Sequence, residues 1–376
     1  MMERFVSTAA SGNDPRTLAA ELIQGLGTLP PRDPETVRVG FIYVSDALSR
    51  NVRLVMDTLR KALGVDHFVG GMGMAVIGPD REFYEDPAIT LMIGDLPTGS
   101  ARVIQRPVHS LDELKQALDG FLDPATPGRL LLNADPRTEG VEAVLTEIGD
   151  QTAWFATGGV HSGEEGAGQI ADGVVASGMT GLALRDDVAI AARHSQGCTP
   201  LPGQHELTET WRNIIVQLDG QRALPAFKGI IGDVLSRDLE RALGYILVGF
   251  PIAGSDTGDY RVRNIIGVDL DQQVLAVGEL LEPGQKILFV RRDGQAARDD
   301  LERMLEQIRA QAPNGIRGAI YVSCIGRGRH QFGQEGAELA IVQQGLGDVP
   351  LIGFFANGEI FANRLYGYTG VLTLFT

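Results

Sequence analysis

Apolar positions in this chain fall into two kinds of pattern, short continuous runs and stripes at helical spacing, and their alternation predicts a layered α/β protein. Residues 37 to 45, Val-Arg-Val-Gly-Phe-Ile-Tyr-Val-Ser, are rich in β-branched and aromatic side chains, as a strand covered on both faces requires. Val52, Val55, Leu59 and Ala62 then recur at helical spacing between Asn51 and Gly64, and His67 to Ile77 returns to an apolar run punctuated by glycine. Proline and acidic residues at Pro79 to Pro87 break the pattern before Ala88 to Ile93 supplies another strand. One unit thus covers about 37 to 95.

The same order returns near the C-terminus. Gly318-Ala319-Ile320-Tyr321-Val322-Ser323 matches Gly40-Phe41-Ile42-Tyr43-Val44-Ser45 at five of six positions, which predicts equivalent strands in two duplicated units. A helix with Leu339, Val342 and Leu346 follows, then a strand over Leu351 to Phe355, an Asn357-Gly358 turn and a closing strand over Gly370 to Phe375. A fainter third copy starts at Leu130-Leu131-Leu132, continues through a helix around Val141 to Ile148, and reaches Trp154 to Gly159 and Gly181 to Leu184. Between the copies lie three further features: a helical stretch over Gly229 to Gly244, with Val234, Leu235, Leu239 and Leu243 on one stripe; two strands over Ile265 to Val277 around Asp271-Gln272; and a strand over Lys286 to Val290. Asp299 or Asp300 is placed to cap a helix whose Leu301, Met304, Leu305 and Ile308 form one apolar face. The expected fold is α/β, with duplicated mixed-sheet units, helices packed on the sheets and two domains, 1–222 and 223–376. The boundary near 222 follows the turn-rich stretch Leu218 to Pro225; Gln196 to Gln204 is the most linker-like stretch of all.

Composition narrows the function classes. With 33 basic and 48 acidic residues the formal charge is −15, so a nucleic-acid backbone is repelled. Mean hydropathy is +0.01, and no apolar run approaches the ~18 residues of a membrane span. The opening residues lack the charged and apolar regions of a secretory signal. Cys198 and Cys324 show neither paired spacing nor a disulfide framework, which fits a reducing cytoplasm. The expected protein is cytoplasmic, without nucleic-acid or membrane partners, cofactor or metal.

Most motifs are bland. Gly166-Ala167-Gly168-Gln169-Ile170-Ala171 spells a dinucleotide fingerprint, but Glu164 and Glu165 would repel phosphate and no helix pattern follows, so it reads as a loop. His161 with those two acids offers cation ligands or, preferably, a solvated acidic turn. Cys198 reads as structural. Two strand exits carry more chemistry. In Ser323-Cys324-Ile325-Gly326-Arg327-Gly328-Arg329-His330, glycines allow close backbone approach and Arg327 offers a planar fork for a carboxylate, with its charge lowering the Cys324 thiol pKa. The alternative is a small core cysteine with solvated arginines. In Pro350 to Ile360, Phe355 and Asn357 lead to Glu359, which is placed to accept hydrogen bonds from an amino group; the alternative is a hairpin with an exposed acid.

These two stretches, with Val290-Arg291-Arg292-Asp293, Ala296, Asp299, Asp300 and Leu301, resemble the C-terminal half of the FIST family, and residues 37 to 222 resemble its N-terminal half. The resemblance implies a cytoplasmic sensory module for amino acids or related small carboxylates. Relatives join it to kinase, cyclase or chemotaxis output domains or to an F-box, none of which is visible here; others hold haem on a histidine. The expectation is therefore a non-enzymatic receptor whose ligand lies between the halves, contacts Cys324, Gly326, Arg327, Gly328, Phe355, Asn357 and Glu359, and signals through a separate protein. Arg327 is expected to hold a ligand carboxylate, so that Arg327→Lys weakens binding about tenfold to a hundredfold. The alternatives are a protein-interaction module, and an enzyme with Cys324 as nucleophile and His330 as base.

Overall fold

Three tandem copies of one plan build the larger part of the molecule. The computed structural model describes residues 5–163, 168–252 and 259–376. It divides into a unit running to Gln196 and resuming over Arg298–Thr376, and a second unit, Gly197–Ala297. The first repeat comprises edge strand β1 (Val6–Ser11), helix α1 (Pro15–Leu26), core strand β2 (Thr36–Ser45), helix α2 (Val52–Leu63), strand β3 (His67–Gly73), hairpin β4 (Val76–Ile77) and β5 (Glu82–Phe83), and closing strand β6 (Ala88–Pro97). The second runs through β7 (Ala101–Val108), α3 (Leu111–Ala117), β8 (Gly128–Ala134), α4 (Val141–Gln151), β9 (Trp154–Val160), hairpin β10 (Gln169–Ala171) and β11 (Val174–Val175), and β12 (Met179–Arg185). The third opens with β13 (Ile190–Gln196), after which the second unit intervenes.

That unit holds β14 (Cys198–Pro200), β15 (His205–Trp211), β16 (Ile214–Leu218), β17 (Gln221–Arg222), α5 (Ala223–Ser236), α6 (Leu239–Leu243), β18 (Ile246–Pro251), β19 (Tyr260–Asp269), β20 (Val274–Val277) and β21 (Lys286–Arg292). Its strands pair antiparallel in the order β21-β15-β16-β20-β19-β18, and β18 pairs with β21 to close a small barrel. Leu207, Ile215, Leu275, Val248 and Phe289 fill it, with Phe227 of α5 packed on the same core. The position near 222 lies inside this unit, between β17 and α5, and β16 pairs with β20 across it. Helix α5 is broken at Gly232, where φ is 79° and ψ 168°, so the predicted four-residue stripe does not hold: Leu235, Leu239 and Leu243 pack on the barrel core and Val234 is exposed.

The third repeat resumes through α7 (Gly294–Ala310), β22 (Gly318–Cys324), α8 (Arg329–Phe332), α9 (Ala337–Leu346), β23 (Leu351–Ala356), hairpin β24 (Gly358–Phe361) and β25 (Arg364–Tyr366), and β26 (Thr369–Phe375). Helix α7 starts earlier than expected. Asp293 accepts the Gln295 and Ala296 N–H groups at its first turn, while Asp300, inside the helix, accepts the Gln196 N–H. The face of Leu301, Met304, Leu305 and Ile308 is buried as the periodicity predicts. Among the described residues no helix is long and apolar enough to cross a membrane.

The three sheets have strand orders β1-β6-β2-β3-β10-β11, β7-β12-β8-β9-β24-β25 and β13-β26-β22-β23-β4-β5. Each repeat keeps its edge, closing, core and parallel strands and passes its hairpin on: the first to the third, the second to the first, the third to the second. The exchange is cyclic. Strands β2 and β22 therefore occupy equivalent positions, each between an antiparallel closing strand and a parallel neighbour. It also means that the sequence halves share sheets in this unit instead of facing each other across a cleft. One face of every sheet contributes to a common core containing Phe41, Tyr43, Leu131, Val322, Phe354 and Val371. Helices α1 and α2 cover the first sheet outside, α3 and α4 the second.

Register corrects the sequence match by one residue. Ile42 pairs with Gly70, and the corresponding pair in the third repeat is Tyr321 with Gly353. Gly70 and Gly353 mark the same place because a Cβ there would lie 1.8 Å from the Ile42 carbonyl oxygen and 1.7 Å from that of Tyr321. Tyr43 thus points into the common core and Tyr321 to the helix side, although the two align in the matching hexapeptides. Gly158, with φ 137° and a Cβ position 1.9 Å from the Leu132 carbonyl oxygen, is the counterpart in the second repeat.

Candidate functional site

The exit of β22 is where the predicted residues gather. Cys324 ends the strand, Gly326 is half-exposed in the following turn, and Arg327 is fully buried. Arg327 Nε donates to Glu338 Oε1 at 2.8 Å, and its terminal nitrogens reach Ser195 Oγ at 3.1 Å and the Ser195 carbonyl oxygen at 3.4 Å. Glu338 also accepts from the Tyr321 and Ser323 hydroxyls and the Gly328 N–H. Burial opposes the guanidinium charge, and Glu338 outweighs it, so Arg327 stays charged. The carboxylate expected from a ligand is supplied by α9 of the chain itself. Glu338 was missed, although it falls four residues before Val342 on a helix face read as apolar.

Glu359 stands differently. The Asn357-Gly358 pair does not turn a hairpin: β23 belongs to the third sheet and β24 to the second, and β24 pairs with β25 through a turn at Ala362 and Asn363, both at positive φ. Asn357 is exposed in that crossing, with its N–H on the Val160 carbonyl. Glu359 is 0% exposed, not the solvated acid of the alternative reading. Its Oε2 accepts the Thr369 hydroxyl at 2.8 Å and the Thr369 N–H at 3.1 Å, while Oε1 has no hydrogen-bond partner. Burial raises its pKa to about 8 against the pull of Thr369, Arg327 and Cys324.

The repeats supply an internal comparison. Val76, Gln169 and Glu359 occupy one position, paired with Phe354, Gly71 and Gly159, the residues after the three close-approach glycines. Gln169 is fully engaged: Nε2 donates to the Ser177 and Gly178 carbonyls and Oε1 accepts from Thr180. The third repeat thus puts a buried, half-engaged acid where the first has a hydrocarbon and the second a satisfied amide.

Cys324, Arg327 and Glu359 act on one another electrostatically, so the structure brings these three together. The expected activation of the thiol is reversed. Burial, followed by Glu359, raises the Cys324 pKa well above its ordinary value and outweighs Arg327. Gly326 lies against Tyr368, where a Cβ would come 2.8 Å from the ring; Tyr368 itself has φ 60°. Phe355 lies on the other face of β23: it pairs with Ser323 on the helix side, its ring 4.9 Å from that of Tyr84. Gly328 joins it there, at φ 50°, because a Cβ would come 2.0 Å from the Tyr84 hydroxyl. Of the seven residues, Cys324, Arg327 and Glu359 come together, Phe355 and Gly328 lie against Tyr84 on the helix side, Gly326 packs on Tyr368 and Asn357 is exposed.

The FIST N domain family model matches residues 38–221 and the FIST C domain family model residues 223–362. The chain belongs to the FIST family. An uncharacterized protein of Mycobacterium tuberculosis (strain ATCC 25618 / H37Rv) is 28% identical over 339 residues, covering 82% of this chain and 83% of the relative. Another, of Mycobacterium bovis, is 28% identical over 347 residues, 85% of this chain and 86% of the relative.

In this FIST chain His161 is a core residue, not part of a solvated turn. It is 2% exposed, its Nδ1 lies 2.7 Å from the Met72 carbonyl oxygen, and burial lowers its pKa to about 4. The ring stacks on Phe354 and lies against the backbone of Gly71, where a Cβ would be 2.3 Å from Nε2, so haem does not fit at that nitrogen. Glu164, Glu165 and the first two fingerprint residues, Gly166 and Ala167, lie outside the described residues; Gly168 precedes the strand Gln169–Ala171. Among the described residues, no three His, Cys, Asp or Glu side chains group as a metal site.

Proposed function

We propose that this FIST chain is a sensory receptor for a small ligand bearing an amino group, and that Glu359 receives that group at the exit of β22. The observation that carries the reading is the unpartnered Oε1 of a fully buried acid, at a position where the second repeat satisfies every polar atom. Arg327 supports the site from behind through Glu338 and does not touch the ligand, which removes the reason for requiring a carboxylate. Amino acids remain within the class through their ammonium groups. Cys324 and Thr369 line the acid, and Tyr368 packs on Gly326 in the turn that follows Cys324. The response passes to a separate signalling protein.

A thermal-shift screen of amino acids, primary amines and matched organic acids, run on the natural chain and on Glu359→Gln, tests this. Specific binding raises stability by RT ln(1 + [L]/Kd). Amines are expected to stabilise the natural chain and to lose the effect in the variant. Stabilisation by organic acids alone, or equally in both proteins, contradicts the reading. The competing interaction-module reading draws on the barrel unit, which holds Trp211, Val234, Tyr245, Ile266, Leu270 and Leu280, six of the eight large apolar side chains exposed among the described residues.

A further inference from the structure

The break in α5 at Gly232 creates a second place with binding chemistry, wholly within the barrel unit. A groove of about 390 Å³ lies between the end of α5, α6 and β21, lined by Val234, Leu235, Asp238, Arg241, Tyr245 and Arg291. This is within the range of small-molecule pockets. Val234 is 83% exposed and Tyr245 49%, and Leu235 forms the floor by packing on the barrel core. An uninterrupted helical stripe would have buried Val234 beside Leu235; the kink instead presents it to the groove.

The charged groups at the walls are not equivalent. Asp238 accepts the Arg241 N–H at 3.0 Å as the cap of α6, so one of its oxygens is already engaged. Arg291 is paired with Asp293 at 3.1 Å, and the arginine side chain is 51% exposed, an arrangement worth little in water and open to exchange. The exposed Arg241 guanidinium has no ion-pair or hydrogen-bond partner among the described residues. In a protein of net charge −15, the groove offers an apolar wall, one free planar cation and a second exchangeable one.

We infer that this groove binds a small monocarboxylic acid with an apolar tail, its carboxylate on Arg241 with Arg291 beside it and its tail against Val234, Leu235 and Tyr245. The fork geometry of arginine suits a carboxylate, and the apolar walls remove the tail from water. Nothing in this assignment depends on Glu359.

Calorimetric titration of the full chain with octanoate tests it, with octylamine as the same tail carrying the opposite charge. Octanoate is expected to bind and octylamine not to. Arg241→Gln is expected to weaken octanoate at least about tenfold, Val234→Asp to weaken it likewise, and Glu359→Gln to leave it unchanged. The first two positions are exposed, so neither substitution threatens folding; circular dichroism checks this. Equal binding of octylamine, an Arg241→Gln variant with unaltered affinity, or binding only by a leucine-terminated peptide with a free carboxylate would each overturn the assignment.

Discussion

Arg327 shows how little a residue's type says about its role until its neighbours are known. In sequence it stands between glycines in a basic turn, which suggests solvent or a ligand; in the fold it neutralises a glutamate of α9, eleven positions on. Its substitution should therefore report on stability. Removing one partner of a buried ion pair costs about 3–5 kcal/mol, so Arg327→Met should lower the urea midpoint sharply. Arg327→Lys should lose less, retaining charge but not the Ser195 contacts; unchanged stability in both would mean that the pair is not formed. Glu359 was legible as a candidate acid, but its burial was not, since Asn-Gly ordinarily marks a hairpin tip. Its titration gives a second test. The folded pKa of about 8 lies above the ordinary 4.5, so its contribution to stability is complete below 4.5 and lost as pH rises toward 8. His161 has the opposite sign: its folded pKa of about 4 lies below 6.5, and stability is lost as pH falls from 6.5 through 4. The two slopes oppose each other between 4.5 and 6.5 and separate outside that window. Relative to Glu359→Gln, the natural chain should lose about 2 kcal/mol between pH 6.5 and 8; parallel curves would show that Glu359 titrates normally.

Elements were legible where hydrophobic pattern alone decides them. The runs at 37 to 45 and 318 to 323 became core strands and the face of Leu301 to Ile308 became a buried helix face, because burial on a sheet needs only that periodicity. Helix α5 failed the same reasoning because Gly232 breaks a stripe that spacing alone would continue. The hexapeptide match between repeats was real in position and wrong by one residue in facing, since identical letters in two buried strands do not reveal which face each letter takes. The close-approach glycines fix that facing. Gly158→Ala should cost about 1–3 kcal/mol from backbone strain, with a further cost from collision with Leu132, whereas Gly173→Ala, with open space around it, should change stability little. Equilibrium denaturation of both variants would check this, and equal values would show that close approach at Gly158 does not require glycine.

At the scale of the whole chain, three copies could be found by pattern, but their cyclic exchange of hairpins could not. Short strands such as Val76–Ile77 and Gln169–Ala171 carry no local sign of which sheet will receive them, and only the long-range register decides. The barrel was equally hidden, because it interrupts the third repeat between β13 and α7 instead of following the repeats. The junction can be closed: the Gln196 N–H lies 2.5 Å from Asp300 Oδ2. Replacing residues 197 to 292 by a short Gly/Ser link, with Asp293 kept to cap α7, should leave a three-repeat protein that melts cooperatively. A non-cooperative melt with lost near-UV dichroism would show that the repeats require the barrel.

A buried, protonated Glu359 that receives an ammonium group must give up its proton on binding, so proton linkage is the decisive measurement. With its pKa raised to about 8 by burial, the acid keeps its proton at pH 7, and an arriving ammonium group displaces it. Titrating the strongest amine from the screen by calorimetry at pH 7, in two buffers of different ionisation enthalpy, should show release of about one proton per ligand bound. Glu359→Gln should abolish that release and weaken binding by at least about tenfold. The same affinity in both proteins, with no difference in proton release, would show that Glu359 does not receive the amino group.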